Sequence, residues 1–172
     1  SISVEDWYGT ESHNQVSMQG SGSYFRAVTV PSDSTATLHY RFHMEDGAGN
    51  TVSTTTADVL ITDNDKPVYL SDGPYSAGTT GDQFLFSVKV TDNVGIANVT
   101  VEYWYGSKNH VNATLKGVGP YTLWIYCPTG SLDPLNYRFK ARDDAGNPKT
   151  TNPVQVTITD NGASSMIVVQ GS

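Results

Sequence analysis

Ser3-Val4-Glu5-Asp6-Trp7-Tyr8-Gly9 returns 97 residues later as Thr100-Val101-Glu102-Tyr103-Trp104-Tyr105-Gly106. The echo extends outward. Leu38-His39-Tyr40-Arg41-Phe42 falls on Leu135-Asn136-Tyr137-Arg138-Phe139, and Asp46-Gly47-Ala48-Gly49-Asn50 falls on Asp143-Asp144-Ala145-Gly146-Asn147. Aligned without a gap, residues 2–64 match residues 99–161 at 25 of 63 positions. A fixed period marks one structural unit built twice. The second copy carries about thirty residues, Pro67–Asn98, that have no counterpart in the first.

The local pattern is β throughout. Thr, Val, Tyr and Ser abound, Gly and Pro punctuate, and no stretch holds helical spacing. In residues 64–161 it predicts seven strands, near Val68–Leu70, Phe84–Thr91, Val99–Tyr105, His110–Lys116, Tyr121–Cys127, Asn136–Arg142 and Val154–Thr159. In residues 1–63 it predicts five, at Ile2–Tyr8, Gln15–Gln19, Tyr24–Val30, His39–Glu45 and Ala57–Thr62. Phe84, Phe86, Val88 and Val90 alternate with Leu85, Ser87, Lys89 and Thr91, the mark of a strand with one buried face. Seven short strands in about 95 residues imply a β-sandwich.

Composition narrows the function classes. The chain has 172 residues and a formal net charge of -7, which argues against nucleic acid and anionic membranes as partners. No apolar run approaches the ~20 residues of a membrane span. With no initiating Met and no leader-like segment, the sequence reads as a mature or trimmed product. Cys127 is the single cysteine, so no intrachain disulfide forms, and its alignment with Val30 predicts a small core residue. Asn98-Val99-Thr100 and Asn112-Ala113-Thr114 are glycosylation sequons and lean toward a secreted protein.

Leu132-Asp133-Pro134-Leu135-Asn136-Tyr137-Arg138-Phe139-Lys140-Ala141 resembles the E–F corner and F strand of immunoglobulin-like and fibronectin type III domains. Tyr137, and Tyr40 in the first copy, sit where those domains carry their tyrosine corner. The longer pattern is similar to Ig-like modules strung along bacterial and archaeal surface proteins and secreted enzymes. The resemblance implies tandem Greek-key sandwiches. One is incomplete, residues 1–63, with strands C to G but no A or B. One is complete, residues 64–161, and a tail follows at 162–172.

Two readings attach to the acidic residues. In this topology the linker carboxylates Asp63 and Asp65, with Asn64, are expected near Asp92 and Asn93 of one loop and Asp143, Asp144 and Asn147 of another. Ca²⁺ takes six to eight oxygen ligands and would suit such a set. Asp63-Asn64-Asp65-Lys66-Pro67 also resembles, loosely, the calcium-binding linker of cadherin repeats. The other reading is a turn device: Asp bonds its own backbone, while Gly and Asn accept positive φ. His39, Arg41 and His43 share one face of a strand and are expected to be solvated. His13 and His110 align beside a turn and are expected to serve it.

Function follows as an expectation. The chain reads as a non-catalytic extracellular structural protein, a cell-surface stalk, adhesin or filament component. The alternative is a carbohydrate-binding accessory module of a secreted enzyme, with glycans stacking on Trp104 or Trp124. No hydrolase or phosphate-loop motif occurs. The missing A and B strands predict self-association or pairing with other surface proteins by strand complementation. The apolar Met166, Ile167, Val168 and Val169 are the expected donor strand.

Overall fold

Alternation in Gln83–Thr91 (β10) places the core of the second unit. Phe84, Phe86, Val88 and Val90 are buried, while Gln83, Lys89 and Thr91 are exposed. The computed structural model describes residues 1–70 and 77–162. The expected donor residues Met166–Val169 lie outside the described residues. By internal contacts the chain divides into Ser1–Asn64 and a second unit that begins at Asp65. Every regular element among the described residues is a strand.

The second unit is a two-sheet sandwich. Its strands are β8 (Val68–Leu70), β9 (Ala77–Thr79), β10, β11 (Ile96–Tyr105), β12 (Val111–Thr114), β13 (Tyr121–Tyr126), β14 (Leu135–Asp143), β15 (Pro148–Thr150) and β16 (Val154–Thr159). One sheet runs β13-β10-β8. The other runs β12-β11-β14-β16-β9, with β15 also on β14. Pairing is antiparallel except for β16 with β9. All seven predicted strands are present. Ala77–Thr79 and Pro148–Thr150 are additions, each three residues long and so too short to show a period.

Between the sheets, Phe86 is 1% exposed and meets the rings of Tyr103 at 5.3 Å and Tyr137 at 5.1 Å. Val99, Val101, Leu135 and Val156 close around it. Each such side chain contributes about 1.5–3 kcal/mol by leaving water. Cys127, 3% exposed, belongs to this core, as its alignment with Val30 predicted.

The first unit reproduces one sheet of that sandwich. Its strands are β1 (Ile2–Tyr8), β2 (Asn14–Ser17), β3 (Gln19–Ser21), β4 (Ser23–Phe25), β5 (Leu38–Glu45), β6 (Thr51–Ser53) and β7 (Ala57–Val59). Five of them form one sheet, β2-β1-β5-β6 with β7 on β5. The register Val4↔Phe42 and Asp6↔Tyr40 matches Val101↔Phe139 and Tyr103↔Tyr137.

The strand expected at Tyr24–Val30 does not form as such. Only Ser23–Phe25 is extended, in a small hairpin with Gln19–Ser21. The physical reason is the missing partner. In the second unit the equivalent residues, Tyr121–Tyr126, are held by β10, and the first unit has no β10. A glycine shapes the approach in both copies. Gly20 and Gly117 have φ of 138° and 131°, and a Cβ there would meet the carbonyl oxygens of Ser23 and Pro120 at 1.9 and 2.3 Å.

Candidate functional site

The loops after β10 and β14 meet at one end of the second unit. Asp92 Oδ1 accepts the backbone N–H groups of Val94 at 3.0 Å and Gly95 at 3.2 Å. The carbonyl of Gly95 accepts Asp144 N–H at 3.1 Å. This brings a carboxylate oxygen of Asp92 within 4.8 Å of one of Asp143. Asp143 is 1% exposed. Its Oδ1 accepts Asn147 N–H at 2.7 Å and its Oδ2 accepts the Asn147 amide at 2.9 Å. Burial works against its ionisation, yet the Asn147 side chain and the loop N–H groups hold its pKa below the ordinary carboxylate value. Asp92 Oδ2 is buried without a hydrogen-bond partner. Asp144, Asn93 and Asp65 are exposed.

Asp46 of the first unit shows what the repeated motif does by itself. Its Oδ1 accepts Ala48 and Asn50 N–H at 2.9 Å, and its Oδ2 accepts the Asn50 amide at 2.8 Å. Gly49 and Gly146 take φ of 87° and 97° in the two copies. Asp-x-Ala-Gly-Asn is therefore a turn device in both units. The orphaned Asp92 oxygen has no such explanation.

A second polar feature, which sequence reading missed, is a buried glutamate on the outer face of each sheet. Glu102 is 6% exposed. Its carboxylate accepts Arg138 Nε, Lys140 Nζ and His110 Nδ1, each at 2.7 Å. His110 also stacks on Trp104, with ring centroids 4.0 Å apart. Glu5 repeats the arrangement with Arg41, with His43 at 2.7 Å and with His13 at 2.6 Å, and His13 stacks on Trp7 at 3.9 Å. Arg41 first, then His13 and His43, hold the Glu5 pKa down to about 2. Arg138, Lys140 and His110 push Glu102 further in the same direction.

These contacts correct two expectations. Arg41 and His43 are not a solvated face: they cover Glu5. His39 is paired with Asp58 at 2.6 Å and stacks on Trp7. His13 and His110 do more than serve a turn: each joins a carboxylate to an indole. The repeat held the signal, since Glu5, Trp7, His13 and Arg41 are all retained at Glu102, Trp104, His110 and Arg138.

A third feature is a cleft of about 370 Å³ in the first unit, lined among others by Val4, Asp6, Tyr24, Val28, Tyr40 and Phe42. It lies on the sheet face that β10 covers in the second unit. Leu135, Tyr137 and Phe139 are at most 8% exposed there, whereas Leu38, Tyr40 and Phe42 are only half-buried. Asp6 stands where the second unit has Tyr103. Asp6 is 6% exposed, and its Oδ1 is buried without a hydrogen-bond partner.

No family model matches this chain, and no curated protein does. Among solved structures, a chimeric titin Z1Z2-Z1Z2 tandem functionalized with a GRGDS exogenous peptide from fibronectin is similar at 13% identity and a TM-score of 0.40. That likeness covers 91% of this chain and 83% of the other. The sandwich assignment stands on the sheets and registers above.

The aromatic residues divide. Trp7 and Trp104 are engaged by histidines. Trp124 and Tyr126 face outward from β13, 58% and 70% exposed. Both sequon asparagines are exposed, and Asn112 accepts Lys140 Nζ at 3.2 Å.

Proposed function

We propose that this chain is a non-catalytic structural part of an extracellular or cell-surface protein, a stalk, adhesin or filament component made of Ig-like repeats. The observation that carries this reading is the retained clamp. Glu5 with Arg41 and His13, and Glu102 with Arg138 and His110, bind neighbouring strands of one sheet in both copies. What is duplicated is the scaffold's own bracing. The exposed sequons support a secreted location. Antibodies against the second unit should label intact cells of the source organism. Labelling only after the cells are permeabilised contradicts the location.

The proposed cofactor is Ca²⁺, held by Asp92 and Asp143. Asp65, Asn93, Asp144 and Asn147 are the further ligands that the second unit offers. The support is the buried Asp92 oxygen that no donor satisfies. A bound cation would neutralise the facing carboxylates and stiffen the two loops.

A second reading, carbohydrate binding, is favoured by Trp124 and Tyr126. They are two residues apart on one strand, so their side chains project about 7 Å apart on the same face. Sugar rings stack on such surfaces. A glycan array decides it: binding lost in Trp124→Ala supports the module, and an array without signal removes it.

A further inference from the structure

We propose that β13 of the second unit pairs edge to edge with β13 of a second copy of this chain, through the main-chain groups of Trp124 and Tyr126. The inference does not rest on the reading of the chain as a surface protein. It competes with the carbohydrate reading for the same two residues, and the test separates the two.

The direction of the main-chain groups carries it. Thr122 N–H donates to the Lys116 carbonyl at 2.8 Å, and Lys116 N–H donates to the Thr122 carbonyl at 2.9 Å. Thr122 therefore turns its main-chain groups away from β10. Cys127 turns the other way, and its N–H donates to the Asp82 carbonyl at 2.9 Å. Such groups alternate along an antiparallel strand. Those of Trp124 and Tyr126 thus point outward from the sheet edge, and they have no main-chain partner among the described residues. Both side chains stand exposed on the outer face, where Gln83 Nε2 donates to the Tyr126 hydroxyl at 3.1 Å.

The other edges of the second unit are blunted. β8 and β9 are three residues long, β12 is four, and β15 carries Pro148 and Lys149. β13, Tyr121-Thr122-Leu123-Trp124-Ile125-Tyr126, has no charge, proline or glycine. A long apolar edge without such guards is a template for another strand.

A second copy is the occupant that fits. Lys116 already fills the ladder place beside Thr122, so a new strand can run only from Trp124 onward. An antiparallel pair centred on Tyr126 meets that limit. Tyr126 N–H and carbonyl then bond those of Tyr126 in the other copy, and each Trp124 N–H meets a Pro128 carbonyl. Pro128 has no N–H to leave unpaired. The charges agree. Exposed Lys116 flanks one end of β13 and exposed Asp82 the other, about 17 Å apart at ~3.4 Å per residue. Antiparallel pairing turns the Lys116 end of each copy toward the Asp82 end of the other. The sheets β13-β10-β8 of the two copies join as one. The contact is isologous, so it closes as a dimer.

The test is sedimentation equilibrium of the full chain over a concentration series, with amide hydrogen exchange on the same samples. So small an edge predicts a weak dimer, with Kd below about 1 mM. The Trp124 and Tyr126 amides should exchange at least tenfold more slowly in the dimer than in the dilute monomer. Sugar stacking uses the rings and leaves these amides unprotected. Trp124→Pro removes an outward N–H but no bond to β10, and it should raise Kd at least tenfold. Lys116→Glu and Asp82→Lys change exposed residues, and at low salt each should raise Kd about threefold. The Lys116→Glu/Asp82→Lys double variant should restore it. Overall charge alone would make Asp82→Lys dimerise more tightly, because it reduces the net charge of -7. A native chain that stays monomeric to about 1 mM overturns the proposal. A dimer whose Trp124 and Tyr126 amides stay unprotected overturns it too, and so does a double variant that is no tighter than the single ones.

Discussion

Arg138 donates from Nε to a buried oxygen of Glu102 at 2.7 Å, and Arg41 meets Glu5 in the same way in the first unit. The pair joins β11 to β14, neighbouring inner strands of their sheet. Both residues lie on the outer face, where a glutamate would ordinarily be solvated. Lys140, His110 and the stacked Trp104 cover it instead.

Replacing Glu102 by Gln keeps the shape and removes the charge. Hydrogen bonds to charged groups contribute about 1.5–3 kcal/mol each to a buried partner. Arg138 and Lys140 are more than a third exposed, so water recovers part of that. A net loss of about 1–3 kcal/mol is expected, read as a lower urea midpoint at an unchanged slope. An unaltered midpoint would show that the clamp is ornamental to stability.

Acid should act through the same groups. The folded-state pKa values of Glu5 and Glu102 are lowered, Glu5 to about 2. Below the unfolded value near 4.5, the unfolded chain takes up protons that the folded chain does not. Stability from these two carboxylates is therefore full above that value and is lost as pH falls toward 2. The melting temperature of the native chain should drop over that window, and the Glu102→Gln variant should drop less. Equal pH slopes in the two proteins would contradict the assignment.

Calcium should raise the melting temperature and chelator should lower it. A ligand that binds only the folded state adds about 2.7 kcal/mol at a hundredfold excess over Kd. Asp92→Asn keeps the Oδ1 acceptor for Val94 and Gly95 but removes the charge. It should fold normally and lose the calcium response. A calcium response that Asp92→Asn leaves intact would place the ion elsewhere, and no response in the native chain would remove it.

Much of the fold was legible because burial writes itself as a period. Phe84, Phe86, Val88 and Val90 alternate, and all four are buried. The ungapped repeat carried the strands from Val99 onward back to the first copy. It failed at Tyr24–Val30, because that segment's partner is the strand the first copy lacks, and a strand does not hold without one. The site was less legible. Asp-x-Ala-Gly-Asn was readable both as a turn and as a ligand set, and Asp46 shows the turn acting by itself. The Glu102 cluster was hidden because its members come from β11, β14 and the approach to β12. Only the joint retention of Glu102, Trp104, His110 and Arg138 at a 97-residue offset marked them.

The first unit is the same sandwich without the sheet that closes its core. Native-state amide hydrogen exchange, resolved by residue on the monomeric chain, tests it most directly. Local opening should be easier where fewer apolar groups cover the backbone. Val4, Tyr40 and Phe42 should exchange at least a hundredfold faster than their equivalents Val101, Tyr137 and Phe139. Equal protection at these three pairs would mean that the first core is closed after all.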